Sequence, residues 1–184
     1  LDNRFMYTLN KFENFKRPCG GGNIEACENV KRVILDWAKA DAAKRTGPSN
    51  HEGRHWNDTL TVNLWVASPM MAGYSFAKQI IKVPDNEDKL IKDWFERIVK
   101  KNKHLMYGMT YKQGTQAIGV PKRAHNHALS SAIAHMELGI LLNDNTQFRK
   151  AFKNYEAAIK YQRGDGSLPI ETRRGGRAMF YQGR

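Results

Sequence analysis

Nearly every segment of this 184-residue chain repeats its apolar residues at threes and fours, and few segments alternate as a strand would. That regularity restricts the chain to an all-α fold. Phe5, Leu9, Phe12 and Phe15 predict a first amphipathic helix that ends before Pro18. A second is expected over 24–44, with Val30, Val33, Ile34, Trp37, Ala38 and Ala42 on one stripe and Glu25, Glu28, Lys31, Arg32 and Lys39 facing water. A third is expected over 56–81, kinked or split at Pro69. Leu90, Trp94, Phe95, Ile98 and Val99 predict a fourth over 86–101. A fifth is expected over 126–142 and a sixth over 146–162. Residues 46–50, 103–122 and 164–184 read as loops, because their glycines and prolines interrupt every period. Short connections between helices imply antiparallel pairs, and no fixed-length repeat supports a simple solenoid.

A chain of this length with 41% hydrophobic residues suffices for one compact domain and is short for two, so 1–184 reads as a single unit. Lys and Arg total 30 against 18 Asp and Glu, a formal charge of +12 that attracts polyanions: nucleic acid, an acidic membrane or an acidic polysaccharide. No apolar run reaches the eighteen or so residues a membrane helix needs, and no signal peptide is visible. The chain opens on Leu1 rather than methionine and stops three residues after Tyr181, so it is expected to be a processed or partial product of a longer protein. Cys19 and Cys27 bracket Gly20-Gly21-Gly22, a turn flexible enough to close a small disulfide loop, which favours an oxidising compartment, periplasmic or extracellular. Two unrelated thiols are the alternative. A zinc site is not expected, since neither a CxxC spacing nor a nearby histidine pair is present.

The chemistry-bearing groups crowd into the last sixty residues, where Arg123, His125, Asn126 and His127 are followed by Arg174, Arg177 and Tyr181. A cation, an amide, an imidazole and a phenol suit the removal of a weakly acidic C–H proton beside a carboxylate. Such a proton leaves only if donors meet the charge that develops on the carboxylate. A base then takes the proton and an acid protonates the departing oxygen on the neighbouring carbon. The ordinary pKa of tyrosine, about 10, lies roughly three units above neutrality, a deficit of about 4 kcal/mol that a neighbouring cation such as Arg174 reduces.

Three pieces in register resemble the alginate lyases of the poly(mannuronate) lyase type: Asn126-His127 opening a helix, Asp165-Gly166-Ser167-Leu168-Pro169-Ile170-Glu171, and Arg174-Gly175-Gly176-Arg177-Ala178-Met179-Phe180-Tyr181. Upstream, Leu35-Asp36-Trp37-Ala38-Lys39-Ala40-Asp41-Ala42 is similar to that family's W-A-x-A-D-A helix. The resemblance implies an (α/α) toroid, here an incomplete helical barrel of antiparallel pairs and a partial domain. It also implies cleavage of a polyuronate by β-elimination with no cofactor and no metal. It sets Asn126 and His127 on the substrate carboxylate, Arg174 as a second cation and Tyr181 as the catalytic phenol, base and acid in turn. Leu129-Ser130 stand where the family has an aromatic pair, and His125 replaces an asparagine, departures that bear on the exact sugar; mannuronate-rich alginate is the expected substrate and polyglucuronate the alternative. An arginine of the family's N-terminal lid has no counterpart here.

Each of these residues also has a plainer reading. A lone helical histidine such as His127 is usually a hydrogen-bonded core residue, Tyr181 alone would be a packing residue, and Asn126 suits a helix cap. Their common register favours the functional reading. Arg177, Arg123 and His125 are candidate substrate contacts or solvated charges, and Trp56 is a candidate sugar-stacking ring. His135, Trp37, Trp65 and Trp94 are expected in the core. A non-catalytic module that binds an anionic glycan or nucleic acid is the rival class, since a charge of +12 alone supports phosphate contacts. No basic helix interleaved with aromatics supports the nucleic-acid version. The expected partner is an acidic polysaccharide, without nucleic acid or membrane; the sequence leaves the oligomeric state open.

Overall fold

The computed structural model describes residues 3–43, 56–100 and 126–167, with side chains described over 11–43, 66–100 and 129–167. The described residues form six helices and no strand: α1 (Asn3–Gly20), α2 (Ile24–Lys39), α3 (Trp56–Ile80), α4 (Asp85–Lys100), α5 (Asn126–Leu142) and α6 (Asn145–Ile159). Contacts divide the chain into two compact units, Leu1–Val99 and Lys100–Arg184.

In the first unit α1, α2 and α3 pack on one another. The helix expected to stop before Pro18 continues to Gly20. Proline lacks only a donor, and in the last turn its carbonyl still accepts the amides of Gly21 and Asn23, each at 3.0 Å. Gly22, at φ +90°, supplies the left-handed residue that reverses the chain. Asn23 then caps α2, its side chain accepting the Ala26 amide at 2.8 Å. Across this turn Cys19 and Cys27, both fully buried, are joined by a disulfide.

α2 ends five residues before the expected position, and the reason is tertiary. Asp41 and Ala43 adopt positive φ, 46° and 64°. The indole of Trp94 donates to the Ala42 carbonyl at 2.9 Å, and the Arg97 guanidinium pairs with Asp41. Contacts fifty residues away therefore hold a turn that the local period would have continued as helix. Pro69 neither ends nor splits α3, which remains helical through Ile80.

The core of this unit is the stripe of α2 (Val30, Ile34, Ala38) against Met70, Met71 and Tyr74 of α3 and Ile91, Trp94, Phe95 and Val99 of α4. Trp94 meets Trp37 edge-on at 6.3 Å and Phe95 at 4.7 Å. Tyr74 is fully buried, and its hydroxyl donates to Asp88 at 2.8 Å. Lys78 and Lys92 pair with the same carboxylate at 2.8 and 2.7 Å. Burial alone would raise the Asp88 pKa, but the hydrogen bonds from Lys78, Lys92 and Tyr74 outweigh it and hold the carboxyl below the usual range.

In the second unit α5 and α6 form an antiparallel hairpin. Asn143 takes the left-handed conformation at φ 56°, and the Asp144 amide reaches back to the Gly139 carbonyl at 2.8 Å, closing α5. Asp144 immediately caps α6 by accepting the Gln147 amide at 2.9 Å. The turn brings the helices so close that a Cβ on Gly139 would lie 2.9 Å from the Phe148 backbone nitrogen. Ala132 and Ala151 meet in the seam, with Met136 and Tyr155 packed against them.

Candidate functional site

The most localised expectation falls at the start of α5. Asn126 and His127 are its first two residues, so the Asn-His pair does open a helix. The first turn of a helix carries unpaired amides and a partial positive charge, which favours an anion beside it. The side chains of Asn126 and His127 lie outside the described residues, as do Arg123, His125, Arg174, Arg177 and Tyr181. Trp56 is the first residue of α3, its side chain likewise outside the description. The structure therefore positions the backbone of the pair and of Trp56. Leu129 and Ser130, the departure from the family's aromatic pair, are half-buried one turn into α5.

Below that first turn α5 holds polar groups in the interior. Ser131 is fully buried and His135 is 4% exposed, one turn further along the same face. Neither the Ser131 hydroxyl nor His135 Nε2 has a hydrogen-bond partner among the described residues. Burial, and then the charges of Lys100 and Lys150, push the His135 imidazole down to about 4, so it is neutral at neutral pH. His135 is thus the core histidine that its apolar surroundings in the sequence suggested.

The loop after α6 is described as far as Ser167. Asp165 accepts the Ser167 amide at 2.8 Å, and Gly166 takes φ +82°, so the Asp-Gly-Ser opening of the second motif is a tight turn. Among the described residues no group of His, Cys, Asp and Glu could hold a metal ion, and no helix is long and apolar enough to cross a membrane. Sequence reasoning assigned no functional residue to α6. Its exposed face carries Phe152, Lys153, Glu156 and Lys160 around an open groove of about 510 Å³. The available signal was the recurrence of cations on one helical face beside an aromatic.

Similarity to solved structures defines the class first. The crystal structure of alginate lyase A1-III from Sphingomonas species A1 superposes with a TM-score of 0.68 at 18% identity, over 92% of this chain and 45% of that one. The fold is accordingly all-α, of the (α/α) toroid class. The alginate lyase family model matches residues 5–184, and the chain belongs to that family. Alginate lyases from Pseudomonas syringae pv. syringae and from Cobetia marina are each 24% identical over 164 residues. The chain spans 39% of the length of these relatives.

Proposed function

We propose that this chain is the part of a polysaccharide lyase that cleaves an acidic polyuronate, mannuronate-rich alginate first, by β-elimination. The observation that carries the reading is the family match over 5–184, which takes in the Asn-His pair, the Asp-Gly-Ser-Leu-Pro loop and the Arg-Tyr element together. In the proposed reaction Asn126, His127 and Arg174 donate to the uronate carboxylate, so that the anion formed when C5 loses its proton does not carry its charge unaided. Tyr181 would take the C5 proton and return it to the glycosidic oxygen as the C4–O bond breaks. In mannuronate both sites share a ring face, which lets one phenol serve twice. Arg123, Arg177, His125 and Trp56 would hold neighbouring sugars, the cations through carboxylates and the indole through the apolar face of a ring.

The buried Cys19–Cys27 disulfide supports a periplasmic or secreted location, where such bonds persist. Each elimination leaves an unsaturated uronate that absorbs in the ultraviolet, so the test is absorbance over polymannuronate, polyguluronate, polyglucuronate and hyaluronan. The reading expects polymannuronate to give the fastest rise. A faster rise on polyglucuronate would move the substrate within the class, and no rise on any polymer would leave a binding module.

A further inference from the structure

The exposed face of α6 carries a second arrangement of charge and aromatic surface that the proposed reaction does not use. Phe152 is 42% exposed, and its ring stacks on that of Phe148 at 6.1 Å between centroids with 8° between planes. The two rings lie nearly parallel and present a flat aromatic surface. Beside it Arg149, Lys153 and Lys160 are exposed, with Glu156 the one acid among them. Positions 149, 153, 156 and 160 follow the spacing of a single helical face, on which Arg149 and Lys153 are about 6 Å apart and Lys153 and Lys160 about 10 Å apart along the axis. Phe152, Lys153, Glu156 and Lys160 line the open groove of about 510 Å³.

We propose that this α6 face is a second, non-catalytic binding site for a segment of acidic polysaccharide, with Phe152 under the apolar face of a sugar ring and Arg149, Lys153 and Lys160 on carboxylates of that segment. The choice of occupant rests on the polyuronate reading above and on charge. A polyuronate carries one carboxylate on every sugar, so a flexible segment can set an anion against each of the three cations, which outnumber the single acid Glu156 on this face. A second copy of the chain would bring like charges face to face, which opposes pairing. A nucleic acid could also use cations and a ring, and is left to the experiment. Such a site would keep the enzyme on its polymer between cleavages and would leave the cleavage of short oligomers untouched.

The test is affinity electrophoresis through gels containing polymannuronate, neutral dextran or single-stranded polynucleotide, comparing the Tyr181→Phe protein with the same protein also carrying Phe152→Ala, Lys153→Ser and Lys160→Ser. Removing two exposed ion pairs, at about threefold each, weakens retardation by polymannuronate about tenfold. The three substitutions, made on the parent, leave turnover of short oligomers unchanged. Unchanged retardation by polymannuronate overturns the proposal, as does tighter binding of the polynucleotide. Sedimentation showing a dimer that the substitutions dissolve also overturns it. The lyase reading is scored separately by product absorbance: retardation lost without any product formed by the parent sinks that reading alone, and product formed with retardation unchanged sinks this one alone.

Discussion

Acidification should loosen the second unit through His135. The imidazole is 4% exposed and its Nε2 has no hydrogen-bond partner among the described residues, while burial and the Lys100 and Lys150 charges lower its pKa from 6.5 to about 4. The unfolded chain therefore binds a proton below about pH 6.5 that the folded chain refuses until about pH 4, so stability falls as pH drops through that window and levels off beneath it. Two and a half units correspond to about 3 kcal/mol in full, of which roughly 2 kcal/mol is lost between pH 7 and pH 5. Urea unfolding at pH 7, 6 and 5 of the parent and of His135→Leu measures it, the slope against pH being the readout so that any packing change in the variant cancels. Any contribution from the other five histidines is common to both proteins and drops out of the comparison. Equal slopes for parent and variant would refute the reasoning.

Gly139→Ala should destabilise the α5–α6 hairpin by about 2 kcal/mol in thermal unfolding, because the new methyl would meet backbone atoms of Phe148 and Asp144 that cannot rotate away. Replacing Cys19 and Cys27 by serine should cost about 2–3 kcal/mol in urea unfolding, the entropy of the loop that the bond closes. Asp88→Asn should cost about 1–3 kcal/mol at pH 7, since it weakens the bonds from Tyr74, Lys78 and Lys92 together. Because the native Asp88 carboxyl is held low, that contribution is present above about pH 4 and lost as pH falls further, which the pH dependence of the same unfolding curves reports.

Much of this fold was legible in the apolar spacing. The period over 126–142 marks both ends of α5, and of the α4 stripe Trp94, Phe95, Ile98 and Val99 are buried, while Leu90, in the second turn, is exposed. What the spacing could not carry are features set by distant partners. The end of α2 depends on Trp94 and Arg97, and the Tyr74–Asp88 network joins residues whose polar ends give no periodic signal. Pro18 and Pro69 read as helix breakers locally, yet α1 and α3 contain them, α3 beside the buried Met70 and Met71. At the site, the helix start at Asn126 was legible because an apolar run follows it. The chemistry of Arg174 and Tyr181 came from motif register alone, since the glycine-rich sequence around them has no apolar period to place them.

The central claim is that one phenol performs both proton transfers. Replacing Tyr181 by phenylalanine removes a single oxygen, and the initial rate of ultraviolet absorbance on polymannuronate reports the result directly. The account predicts a fall of about 100-fold or more, the usual contribution of a positioned acid–base group, with polymer still retarded in affinity gels. A variant that forms unsaturated product as fast as the parent would contradict it.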